Sequence, residues 1–159
     1  MSISNRREFM AGASALAGLS FLSLTGCNKT NDAIRVGFML PYTGTYAKLG
    51  AAIENGFRLA LTELGDKPYG KSIDFYTVDD ESNPAKSTDY ANKIMARDNV
   101  DVVIGTVHSG VAMGMIKVAK ETGTLVIIPN AGANAATGSM CAPNVFRTSF
   151  SNWQPTHPL

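Results

Sequence analysis

Cysteine is nearly absent: only Cys27 and Cys141 occur in 159 residues. Two cysteines cannot build the disulfide framework of a small secreted scaffold, nor the thiolate set of a structural zinc site. Charge of one sign is missing too. The 14 basic and 13 acidic residues nearly cancel, for a formal net charge of +1. No basic patch argues for nucleic acid, and no like-charge block marks a tail. No apolar run reaches the roughly 20 residues that a membrane-crossing helix needs. The phosphate loop Gly-x-x-x-x-Gly-Lys-[Ser/Thr] and the fingerprint Gly-x-Gly-x-x-Gly after a strand are absent, as is the nucleophile elbow Gly-x-Ser-x-Gly. His108 and His157 stand alone, with no metal-ligand spacing around them. No cofactor, no metal and no catalytic residue are therefore expected. What remains is a chain that is 45% hydrophobic, enough for a packed core and too much for disorder.

The first 27 residues read as an address rather than as part of a fold. Arg6-Arg7-Glu8-Phe9 precedes the apolar stretch 11–24, and Leu24-Thr25-Gly26-Cys27 closes it. A basic start, a short apolar stretch and small residues form the layout of a secretory signal. The arginine pair with Phe9 resembles a twin-arginine signal, and Leu-Thr-Gly-Cys resembles a lipobox. These predict export and lipidation of Cys27, hence a membrane partner through acyl chains. With Cys27 modified, Cys141 has no partner in this sequence. It is either free and buried or paired with a cysteine on a further stretch of chain.

From residue 34 onward, apolar runs and amphipathic stretches alternate. Strands are predicted at 34–40, 73–78, 100–104, 125–128 and 145–150. A helix is predicted over 48–64, where Leu49, Ile53, Phe57, Ala60 and Leu64 recur at helical spacing. A second starts at Asn83-Pro84, with Asn as cap and Pro at the first position. A third runs from Ser109, read as its cap, to Thr122, and Gly123 stops it. The stretch 130–144 is loop-rich. Four strand-to-helix alternations with nearly continuous apolar strands predict an α/β, doubly wound parallel sheet. The expected strand order is the flavodoxin-like 2-1-3-4-5.

In such sheets ligands bind beyond the carboxyl ends of the strands, where the strand order reverses. That selects the loops 41–50 and 105–109, with 129–134 beside them. They hold Tyr46 and Leu49, then Thr106, His108 and Ser109, then Asn130, Ala131 and Gly132. Ser109 at a helix start offers a hydroxyl and nearby amides to a carboxylate, or serves only as a cap. Tyr46 either walls a pocket or packs on the surface. Asp79-Asp80-Glu81 is the sharpest acidic cluster. The positions after strands one and three hold Tyr42-Thr43 and Thr106-Val107, so a phosphoacceptor reading fails. The cluster reads as a solvated loop at a helix start, with a hinge role as the alternative.

These segments together resemble one family. Ile34 to Gly50, Val78 to Lys86, Val103 to Gly110, Ile128 to Asn134 and Asn144 to Ser149 are similar, in order and spacing, to the branched-chain amino acid-type solute-binding proteins of ABC transporters. The resemblance implies the first lobe of a type I periplasmic binding fold, whose two lobes close on a small ligand. It implies a binding protein rather than an enzyme, with an ABC permease as partner. It divides the chain into a signal (1–27), a linker (28–33), an N-terminal ligand-binding lobe (34–150) and the start of a crossover (151–159). It implies that Ser109 holds a ligand carboxylate and that Asn130, Ala131 and Gly132 offer main-chain groups. Gly132 stands where amino acid binders commonly have Thr, and Leu49 where they often have an aromatic residue. Amides and aromatic acids therefore stay open as ligands beside amino acids. The resemblance also implies that Cys141 pairs with a cysteine farther along a longer chain. A ligand-sensing receptor on the same fold is the rival reading, and an exported enzyme the weaker one.

Overall fold

Five parallel strands form one sheet in a computed structural model that describes residues 33–65 and 67–157. They are β1 (Ile34–Leu40), β2 (Ile73–Asp79), β3 (Val102–Gly105), β4 (Leu125–Ile128) and β5 (Val145–Arg147). Their order is β2-β1-β3-β4-β5, and every neighbouring pair is parallel. This is the fold class and strand order expected from the alternation of apolar runs. The export signal and Cys27 lie outside the described residues.

The helices close the crossovers. Helix α1 (Ala47–Leu64) follows β1. After β2, a 3-10 turn at Pro84–Lys86 leads into α2 (Ser87–Asn92), which continues as a π-helical turn over Lys93–Arg97. The Asn83 side chain caps this start by accepting from the Ala85 amide, as its position before Pro84 suggests. Helix α3 (Ser109–Thr122) follows β3 and ends at Gly123, which is left-handed at φ 74°. A short α4 (Trp153–Thr156) follows β5. The loop 130–144 holds one 3-10 turn, Asn134–Thr137.

Side chains alternate along each strand, so each face of the sheet builds its own core. On one face Met39, Val103, Val126 and Ile128 pack with Ala91 and Ile94 and with Val111 and Met115 of α3. On the other, Val36, Phe38, Leu40 and Ile104 meet Ile53 and Phe57 of α1. Phe38 is central there: its ring stands edge-on to Phe57 at 5.4 Å and stacks on Phe75 at 5.8 Å. The Arg58 guanidinium lies over Phe75 at 4.3 Å and pairs with Glu54 at 2.6 Å.

The second face is covered unevenly. Phe38, Ile104, Ile127 and Phe146 are register partners in one row across the sheet. Phe38 is 0% exposed and Phe146 53%. In the parallel row of Val36, Val102 and Leu125, exposure rises from 2% to 38%. Helix α1 covers the β1–β2 part of this face and runs out towards β5.

Two strand bounds are corrected. The last strand spans three residues and not six, because the chain leaves the sheet after Arg147. The third strand spans Val102–Gly105 and not 100–104, because its pairing with β1 begins at Val102, opposite Val36. Cys141 is exposed, which removes the buried alternative, and it has no disulfide partner among the described residues.

Candidate functional site

The carboxyl ends of β1, β3 and β4 release three loops side by side. After β1 the chain turns at Pro41. The Tyr42 amide donates to Asp79 Oδ1 at 2.9 Å and the Thr43 hydroxyl to Asp79 Oδ2 at 2.8 Å, which ties this loop to the end of β2. Partial burial pushes the Asp79 carboxyl up, but the amides of Tyr42 and Glu81 and the groups of Thr43 outweigh that and hold it below its ordinary value. The Tyr42 hydroxyl bonds to Glu54 on α1. Burial first, and then that bond, raises the phenol far above its ordinary value. Both ends of Tyr42 are thus fixed, and α1 starts in a fixed place.

That placement needs Gly50. A Cβ there would run into the Pro41 carbonyl, so only glycine lets the first turn of α1 approach the end of β1 so closely. The turn brings Tyr46 (38% exposed) and Leu49 (45% exposed) to the open side.

After β3, Thr106 is fully buried and Val107 8% exposed. The cap of α3 is His108, not Ser109. Its backbone is extended at φ −84° and ψ 123°, and its Nδ1 accepts from the Gly110 amide at 3.0 Å. An accepting Nδ1 puts the ring proton of a neutral imidazole on Nε2. Ser109 is therefore the first helical residue, and its hydroxyl has no hydrogen-bond partner among the described residues. The helix-cap explanation for Ser109 does not hold. The amides of the first turn are donors that a helix cannot satisfy internally, and they favour an anion.

After β4, the Ala131 amide donates to the Thr106 carbonyl at 3.1 Å, which seats the third loop on the second. The Asn152 amide donates to the Gly132 carbonyl at 2.7 Å. A side chain at position 132 would collide with Asn152 Oδ1.

Together these loops enclose a cavity of about 340 Å³, at the low end for small-molecule sites. Tyr46, Leu49, His108, Ser109, Asn130 and Gly132 all line it. Thr106 and Ala131 do not: they lie beneath it, 0% and 1% exposed, and their main chains join the loops. Three lining residues escape the sequence reading, namely Val107, Phe150 and Asn152. Strand order held a signal for the last two. In the order 2-1-3-4-5 the chain leaving β5 must emerge beside the loop after β4. No Asp, Glu, Lys or Arg lines it, and Leu49, Val107 and Phe150 add apolar surface. The site can offer a ligand hydroxyl, amide and main-chain donors together with apolar surface. Among the described residues no group of His, Cys, Asp or Glu could hold a metal ion.

The family model described as "Periplasmic binding protein" matches residues 33–159. The Leu/Ile/Val-binding protein BraC3 of Rhizobium johnstonii is 32% identical over 138 residues, which is 86% of this chain and 36% of that protein. Among solved structures, the solute-binding protein of an ABC transporter from R. palustris, in complex with benzoate, is 56% identical. The alignment covers 77% of this chain and 34% of that one, with a TM-score of 0.74. A second solute-binding protein, from Rhodopseudomonas palustris BisB5 in complex with 3,4-dihydroxy benzoic acid, is 29% identical, covering 76% and 32% with a TM-score of 0.69. The chain spans about a third of the length of the relatives it matches. With its sheet order, its cavity at the strand ends and this match over nearly all described residues, the chain belongs to the periplasmic binding protein family, among the branched-chain amino acid-type solute-binding proteins of ABC transporters.

Proposed function

We propose that this chain is the ligand-capturing N-terminal lobe of a solute-binding lipoprotein of an ABC importer, and that its ligand is a small aromatic carboxylate of the benzoate class. The observation that carries this reading is the Ser109 hydroxyl at the start of α3, without a hydrogen-bond partner among the described residues and lining a cavity that also holds Leu49, Val107 and Phe150. The hydroxyl and the Ser109 amide at the helix start receive the carboxylate. Leu49, Phe150 and Tyr46 take the ring. His108 and Asn130 supply further polar contacts, and Gly132 lets the ligand approach the main chain. The benzoate complex of the 56%-identical relative supports the ligand class. The Leu/Ile/Val-binding names of other relatives favour leucine as the competing ligand.

The role is binding and delivery to a permease, not catalysis. The protein works in the periplasm or cell envelope. Residues 1–27 export it and Cys27 carries its lipid anchor. A second lobe completes the cleft, and Cys141 pairs with a cysteine there. On a chain carrying both lobes, Ser109→Ala is expected to weaken benzoate binding by about 1.5–3 kcal/mol, the range for a hydrogen bond to a charged group. Isothermal calorimetry reads this directly. Unchanged affinity would remove Ser109 from the site.

A further inference from the structure

The acidic cluster after β2 is not a solvated loop. Glu81 is exposed, but Asp80 is 0% exposed. A buried carboxyl needs partners to offset its lost hydration; that of Asp80 has two, and its amide ties the residue to a third element. Its Oδ1 accepts from the Ser82 amide at 2.8 Å. Its own amide donates to the Leu40 carbonyl at 3.0 Å, at the end of β1. Its Oδ2 accepts from the buried Thr106 hydroxyl, at the end of β3. Strands β2 and β3 are not neighbours, because β1 lies between them. Asp80 therefore reaches past the end of β1 to grip the loop after β3. The Thr106 carbonyl in turn accepts from the Ala131 amide after β4. One line of hydrogen bonds runs from β2 to β4 beneath the cavity floor, and Thr106 is its middle link.

We propose that Asp80 is a positioning residue for the ligand site: through Thr106 it holds the β3 loop, which presents His108 and Ser109, against the β4 loop, which presents Asn130 and Gly132. The ligand part of this inference rests on the carboxylate reading above. Asp80 touches no ligand itself. A short local turn would not need it, since Asp79 and Asn83 already bond the neighbouring amides of Glu81 and Ala85. Its distinct feature is the bond to a residue 26 positions away.

The test compares two amides by native-state hydrogen exchange. The Ala131 amide reports the brace. The Asp101 amide, which donates to the Arg35 carbonyl at 2.8 Å, reports the opposite end of the sheet. In Asp80→Ala, Ala131 is expected to exchange about tenfold faster or more while Asp101 changes by less than about twofold, the pattern of local rather than global opening. Benzoate affinity should fall about tenfold in the same variant, the effect of one lost buried hydrogen bond. Asp80→Asn keeps an acceptor and should restore most of both effects. Thr106→Val and Thr106→Ser form an independent pair from the other end of the bond, with loss expected in the first and rescue in the second. Equal acceleration of both amides, or an unchanged Ala131, would overturn the proposal. If benzoate fails to bind the parent protein, the ligand reading falls, and the exchange comparison still decides the brace.

Discussion

Phe38→Ala is expected to lower the unfolding free energy by about 3–5 kcal/mol, the range for removing a fully buried aromatic ring. Phe38 is 0% exposed and touches Phe57 of α1 and Phe75 of β2 on the face that packs against α1. Gly50 is the only buried residue of α1, so the helix is held mainly through the half-buried Ile53 and Phe57 against this ring. The loss should therefore appear first as release of α1. Chemical denaturation followed by far-ultraviolet dichroism measures the total. Amide exchange in residues 51–60 shows whether the helix leaves before the sheet. A cost below about 1 kcal/mol, typical of ordinary surface-like sites, would mean that α1 is anchored elsewhere.

The second large effect is expected at Gly50. In Gly50→Ala the new methyl group meets the Pro41 carbonyl. Main-chain atoms at the end of a central strand cannot rotate aside as a side chain does. Overpacking of this kind costs about 1–3 kcal/mol and occasionally more. Alanine favours helix interiors over glycine by about 1 kcal/mol, so propensity alone predicts the opposite sign. The collision wins because it acts on two backbones held by β1 pairing and by the Tyr42–Glu54 bond. The functional consequence follows from position. Leu49 and Tyr46 precede Gly50 on the same turn, so the helix start moves off the cavity with them. A thermal midpoint raised by the substitution would contradict the close approach.

Much of this architecture is legible because the strands of a parallel sheet are short, apolar and bounded by Pro or Gly. Val126 and Ile128 sit between Gly123 and Pro129, and the strand found there matches the expected bounds. The order 2-1-3-4-5 then places the three loops. The capping of α3 is not legible, since Ser before a helical pattern is the stronger prior for a cap than His. Only the accepting Nδ1 of His108 reveals the substitution. The burial of Asp80 is hidden for a different reason. An acidic doublet before Asn-Pro looks solvated, and the partner that buries it lies on a non-adjacent strand. Hydrophobicity and chain position put Phe150 in a strand and Asn152 in a crossover. Their place at the cavity depends on where the chain leaves β5 after Arg147, a boundary set by pairing with β4 rather than by residue type.

The central claim is that the ends of β1, β3 and β4 receive a small aromatic carboxylate. It is tested most directly by nuclear magnetic resonance titration of this chain with benzoate and, separately, with leucine at millimolar concentration. The lobe alone presents part of the proposed cleft, so binding should be weak, yet saturable shifts are expected at the amides of Ser109, Gly110, Asn130 and Gly132 with benzoate and not with leucine. Shifts at those amides with leucine alone, or none with benzoate, would contradict it.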